Sequence, residues 1–222
     1  KKKPWTNWEI QNFDGLEIFS LSDIFYPEGL MQLILKGFFF PPKTFLKSVI
    51  KTPSPALKLW DEQLRSGRHV SAFGSVDAHL KRRWKSLYVE NLLIYFQAVT
   101  MYVLADELKE DKIVEALGKG KSFVAFEARG IAQDFSFRAK AGNQTFRPGD
   151  LVPIDSEVSF VIQSPKPADI RLIHNGKIIA QEKGAALEYK TKEAGYYRVE
   201  VYQKGELRIA ENPIYLESQS FD

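Results

Sequence analysis

Cysteine is absent from all 222 residues, which excludes disulfides, thiolate metal sites and a cysteine nucleophile. Long apolar runs are missing too. No segment approaches the ~20 apolar residues that cross a bilayer, since the best candidate is broken by Lys36, Gly37 and the Pro41-Pro42 pair; no membrane span is expected. Histidine is scarce, with only His69, His79 and His174. Neither sign of charge dominates: 31 Lys and Arg stand against 28 Asp and Glu, a net charge of +3. The concentrated basic runs are Lys1 to Lys3 and Lys81-Arg82-Arg83, whereas nucleic acid calls for a broader basic stripe, so no nucleic-acid partner is expected. Internal repeats and low-complexity tracts are also lacking. Lys1-Lys2-Lys3-Pro4 has neither an initiator Met nor an apolar signal-like run and reads as an internal cut in a longer protein.

What is present is ordinary globular material, 44% hydrophobic and 27% charged, enough for one or two cores. Two periods divide it. In the first half, Asp14-Gly15 leads into an alternating strand through Phe19, and helical spacing follows at Leu30, Ile34 and Leu35 and again at Phe45, Leu46, Val49 and Ile50. Ser54-Pro55 supplies an N-cap hydroxyl and a first-turn proline, Leu57, Trp60 and Leu64 form an apolar stripe, and Gly67 offers a stop. A short strand from Arg68 to Gly74 empties into Gly74-Ser75-Val76-Asp77-Ala78-His79. A further strand near Thr100 to Leu104 precedes a helix from about Lys109 to Leu117.

From Ser122 the period becomes two. Phe135 and Phe137, then Val158, Phe160 and Ile162, Ile170 and Leu172, Leu187 and Tyr189, and Tyr197, Val199 and Val201 alternate with polar residues. Turn signals separate them at Arg147-Pro148-Gly149-Asp150, Asn175-Gly176, Lys183-Gly184 and Lys204-Gly205. Seven or eight short strands in ~100 residues predict a β-sandwich. Gly195-Tyr196-Tyr197-Arg198-Val199 has tyrosine-corner spacing, with the Tyr197 hydroxyl expected on backbone at the sheet corner and its ring packed inward.

The sharpest chemical feature is Asp77-Ala78-His79, in a loop leaving the C-terminal end of a strand, the place where α/β barrels build active sites. In extended backbone, residues two apart point to one side, so a carboxylate oxygen and an imidazole nitrogen can reach one ion or two neighbouring ions at ~2.0–2.2 Å. Small Ala78 and the preceding Gly74 and Ser75 would let backbone approach closely. The plain alternative is a solvated loop in which Asp77 caps a turn and His79 is incidental.

Longer stretches carry a resemblance. Leu59-Trp60-Asp61-Glu62-Gln63-Leu64-Arg65-Ser66-Gly67-Arg68-His69-Val70, continuing through Ala72-Phe73-Gly74-Ser75-Val76-Asp77-Ala78-His79, resembles the C-terminal segment of the polymerase and histidinol phosphatase (PHP) family. Asp14 to Phe19, Ile113 to Val124, Ala194 to Glu200 and Asn212-Pro213-Ile214-Tyr215 extend the similarity over nearly the whole chain. The resemblance implies the C-terminal part of a distorted α/β barrel over residues 1–121, followed by an all-β immunoglobulin-like sandwich over 122–222. It further implies a cluster of divalent metal ions (zinc, manganese or iron) that hydrolyses phosphoesters, with Asp77 and His79 as the family's last pair of ligands. Val76 departs from the pattern, standing where a Ser or Thr usually precedes the Asp. The other ligands, beginning with a His-x-His, have no match, so the expected partner is a missing N-terminal part of the catalytic barrel, and this chain alone is expected to be inactive. No catalytic residue beyond the two ligands is assigned.

Glu17 is a lesser ligand candidate, His69 a rim or packing residue, and His174 a hairpin residue. Phe38-Phe39-Phe40 reads as core or internal interface in preference to a partner-binding patch, and Lys81-Arg82-Arg83 as a solvated helix end in preference to a phosphate attractor. The competing reading of the whole is a non-catalytic binding or scaffolding protein whose β-sandwich contacts a ligand or protein. A trailing immunoglobulin-like segment without cysteines inclines the location towards an extracytoplasmic setting.

Overall fold

In a computed structural model, which describes residues 10, 12–21, 36, 39–77, 83–84, 87–88, 96 and 98–218, the alternation after Asp14-Gly15 forms strand β1, Gly15–Ser20. Two helices follow, α1 at Pro42–Val49 and α2 at Ser54–Arg65, and then β2 at Ser71–Ser75. The stripe of α2 is buried as its spacing demands, through Leu57, Trp60 and Leu64. Its start differs from expectation: the Leu57 N–H already donates to the Pro53 carbonyl, so Ser54 lies inside the first turn and its hydroxyl caps nothing. Gly67, at φ 82°, ends the helix. The segment containing Leu30, Ile34 and Leu35 lies outside the described residues.

Strand β2 runs parallel to β1, pairing Gly15 with Ser71 and Ser20 with Ser75. The two-residue strands β3 (Arg83–Trp84) and β4 (Leu87–Tyr88) pair with each other. Then β5, Thr100–Val103, and α3, Glu110–Gly118, lead to β6, Ser122–Ala125. The rest is strand: β7 Ser136–Ala141, β8 Gln144–Phe146, β9 Leu151–Pro153, β10 Val158–His174, β11 Lys177–Thr191, β12 Gly195–Gln203, β13 Glu206–Glu211 and β14 Ile214–Glu217.

The α/β-barrel expectation for the first half is corrected here. The chain is mostly β, 48% strand against 19% helix, built on a curled antiparallel sheet shaped as a half-barrel and sandwich-like. A barrel needs parallel strands added in sequence around a closed ladder, and β1–β2 is a two-stranded sheet with no such extension. The next long strand, β5, instead pairs antiparallel with β6, Thr100 opposite Ala125 and Val103 opposite Ser122, and so joins the ten-stranded sheet. Side chains already occupy the space where β2 meets that sheet.

Turn chemistry explains most of the sheet. Asn175 and Gly176, at φ 49° and 80°, turn the β10–β11 hairpin, and Lys204 and Gly205, at 53° and 81°, turn β12–β13, as positive φ at both central residues requires. Lys183-Gly184 is no turn: β11 runs through it, with Gly184 opposite Ala168. The irregularity falls on β10 instead. Its ladder breaks between Gln163 and Ala168, around Pro165 and Pro167, where N–H donors are lost. Before the break β10 pairs with β7, and after it with β12.

Both faces of the sheet are buried across β6, β12 and β13, whereas β7, β8 and β11 leave one face largely exposed. Inside the curl lie Phe123, Phe137, Val158, Phe160, Ile170, Val199 and Ile209. The outer face, including Val124, Tyr196, Tyr202 and Ala210, packs under α1, α2 and β1–β2 with Ile18, Leu46, Leu57, Trp60 and Ala72. Strand β12 serves both: Tyr197 points inward, and its hydroxyl donates to the Glu193 carbonyl at 2.9 Å, the expected corner bond. Burial pushes that hydroxyl up to about 12. Outward, Arg198 meets Asp61 of α2, the Tyr196 hydroxyl donates to the same carboxylate at 3.0 Å, and Glu200 accepts from both Arg198 (2.6 Å) and Tyr202 (2.8 Å). The Arg198 guanidinium also lies 4.9 Å from the Trp60 ring centroid. Burial works against this cation, but the hydrogen bonds and charges of Asp61 and Glu200 outweigh it and hold its pKa above the ordinary value.

Candidate functional site

The strand end that carries the expected ligands is positioned by three side-chain relationships. Gly74 lies so near the sheet that a Cβ there would meet Val124 Cγ1 at 2.5 Å and Val99 Cγ1 at 2.9 Å. Its missing side chain thus serves the seating of β2 on the sheet rather than close approach to an ion. Asn212, buried after β13, accepts the Ala72 N–H at 2.7 Å and donates to the Ser122 carbonyl at 2.6 Å, tying β2 to β6. Ser75, the last residue of β2, donates its hydroxyl to the Glu17 carboxylate across the parallel pair. Val76 then packs against the outer core as an apolar anchor.

Asp77 follows as an exposed residue at φ 40°. A non-glycine residue in the left-handed region is uncommon, and Asp tolerates it better than most. Glu17 stands opposite Phe73 in mid-ladder, and its carboxylate reaches towards the β2 end through Ser75. His79, with Ala78, Lys81 and Arg82, lies outside the described residues. Phe39 and Phe40 are 72% and 44% exposed, against the core expectation for that cluster, and Phe38 lies outside the described residues.

A hydrolytic zinc site takes roughly three protein ligands and an open position. Among the described residues, no group of three His, Cys, Asp or Glu stands close enough to hold an ion. Glu17 and Asp77 are hard oxygen donors at the right end of the strands, but the described donor set does not make a metal centre by itself.

The other histidines have structural settings. His69 stacks on Tyr215, centroids 4.0 Å apart, beside an open cleft also lined by Arg65 and Tyr196. His174 stacks on Tyr197 at 4.3 Å, with Nε2 3.0 Å from the Ala194 carbonyl and Nδ1 3.6 Å from the Glu193 carboxylate. Neither approaches the β2 end.

One charged residue escaped sequence reasoning. Glu211 ends β13 with only 2% exposure, and it lines a cavity of about 200 Å³ together with Leu104, Phe123, Phe135, Phe137, Arg138 and Arg147. Burial pushes its carboxyl well above the usual carboxylate range, opposed only by the Asn212 N–H. The signal was faint: Leu207, Ile209 and Glu211 alternate, but an acid in the last place reads as the polar end of a strand. No described helix is long and apolar enough to cross a membrane. No protein-family model matches the chain, and no curated protein matches it.

Proposed function

We propose that this chain contributes part of the active centre of a metal-dependent phosphoesterase, with Asp77 and His79 as two of its metal ligands. The observation that carries this reading is the position of Asp77, an exposed carboxylate in a left-handed backbone conformation two residues beyond the C-terminal end of a parallel strand. Strained residues of this kind cluster at functional sites. The Asp77-Ala78-His79 spacing and the extended resemblance to the PHP family support the same activity. Three contacts support a fixed rather than a loose ligand: the Gly74 contact with Val99 and Val124, the buried Asn212 bridge and the exposed Glu17–Ser75 bond. The described donors do not complete a centre, so in this reading the remaining ligands come from elsewhere in the protein, and the phosphoester is the substrate of the assembled centre. In this reading the sheet serves as the platform against which the ligand strand is held.

The test uses the full-length protein. Asp77→Ala and His79→Ala should each lower bound metal and abolish phosphoesterase activity while leaving the thermal transition nearly unchanged. Retention of both metal and activity in both variants would remove these residues from the centre.

A further inference from the structure

Register fixes the direction of the Glu211 side chain. Glu211 stands opposite Phe123, which stands opposite Tyr102, while Ile209 stands opposite Ala125. Phe123, Ala125 and Ile209 all belong to the core inside the curl, and side chains opposite one another on neighbouring strands share a face. Glu211 therefore projects to the concave side, into the cavity. Among the described residues its only hydrogen bond is from the Asn212 N–H to Oε1, at 3.0 Å, and no cation stands within ion-pairing distance. An apolar side chain would fill this position at lower cost, since an ionised carboxylate needs a paired cation when buried.

The surroundings sort by depth. Phe123 is buried, stacked on Tyr102 at 4.7 Å and edge-on to Phe135 at 5.1 Å, and Phe137 is buried beside them. Arg147, on the same cavity, is exposed, whereas Arg138 alternates with inward-facing Phe137 and Ala139 on β7 and so turns to the other face. An acid and aromatic rings thus lie inside, with Arg147 at the rim. Ring faces attract cations, and a buried carboxylate ionises readily once a cation reaches it. A simple amine would leave the rim unexplained. A simple acid would meet a like group at the floor.

We propose that this cavity binds a small zwitterion, an ammonium and a carboxylate separated by a short apolar chain. The ammonium meets Glu211 among the phenylalanine rings, and the carboxylate meets Arg147 at the mouth. An apolar cavity of roughly 150 Å³ accepts benzene, so a volume of about 200 Å³ suits a compact metabolite rather than a peptide. The site is independent of Asp77 and of the activity proposed above.

Titration calorimetry and amide NMR on the full chain test it with β-alanine, γ-aminobutyrate and ε-aminocaproate, each beside the alkylamine, carboxylic acid and alcohol of matching length. At least one amino acid should bind about tenfold more tightly than its three analogues, a difference of about 1.4 kcal/mol, and should shift the amides of Phe123, Phe137 and Glu211. Glu211→Gln, which keeps the side-chain shape, should lose that binding. Arg147→Ala, at an exposed position, should reduce it to the level of the matching amine. Absence of binding by every probe, an alcohol or amine binding as tightly as the amino acid, or unchanged affinity in Glu211→Gln would each overturn the proposal.

Discussion

Asp61 and Arg198, separated by 137 positions, meet as a two-pronged pair, Nε to Oδ1 at 2.7 Å and Nη2 to Oδ2 at 2.6 Å, with residue exposures of only 8% and 2%. The pair joins the helix before the ligand strand to the central strand of the sheet. Removing one member leaves the other charge buried, which costs more than the pair itself contributes. Asp61→Ala should therefore lower unfolding free energy by about 3–5 kcal/mol, measured by urea denaturation. Because Glu200 is bonded to the same guanidinium, the triple change Asp61→Leu, Arg198→Met and Glu200→Gln should recover most of that loss.

Gly74→Ala should cost about 1–3 kcal/mol through overpacking, because its Cβ would fall within 2.5 Å of Val124 Cγ1. Val124→Ala in the same molecule should relieve part of the cost. A crystal structure of Gly74→Ala with β2 undisplaced and full stability would contradict the seating role.

Asp77 tests strain apart from chemistry. At φ 40°, Asp77→Gly should leave stability unchanged or raise it by up to about 1 kcal/mol, whereas Asp77→Ala should lower it slightly. Both changes remove the carboxylate. Loss of activity in the more stable glycine variant would mark the side chain as chemical rather than structural.

Glu211 predicts a pH dependence. With its folded pKa raised by burial, the folded protein holds this proton more tightly than the unfolded chain. Its contribution is complete below the unfolded value of ~4.3 and is lost as pH rises through the folded value. Stability should fall as pH rises above the ordinary carboxylate range, by at most ~1.4 kcal/mol per pH unit from this group, and Glu211→Gln should flatten that slope. Urea midpoints at several pH values would measure it.

Local rules made much of this architecture legible. The positive-φ turns at Asn175-Gly176 and Lys204-Gly205, the α2 stripe and the Tyr197 corner follow from chemistry confined to a few neighbouring residues. The expectation failed where partners are distant. Thr100–Val103 reads equally well as a barrel strand or a sandwich strand, and only its pairing with Ser122–Ala125 decides. Lys183-Gly184 looks like a turn because glycine permits one, but the partner strand continues opposite it and holds it extended. The Glu206–Glu211 strand was missed because acids at both ends disguise its alternation. At the candidate site, the spacing of Asp77 and His79 was visible, whereas the positioning roles of Asn212 and Glu17 were not, since each depends on a strand far away in the chain.

Strand β10 is shared by β7, β11 and β12 on either side of its proline break. Neither end of the curl can close until this one segment is available to both. On a ribosome, the sheet should stay open until about Glu211 has left the exit tunnel, because β13 bridges β12 to β6, and then close in a single event. Early arrest of synthesis would release a chain whose apolar strands have no template, a species prone to self-association.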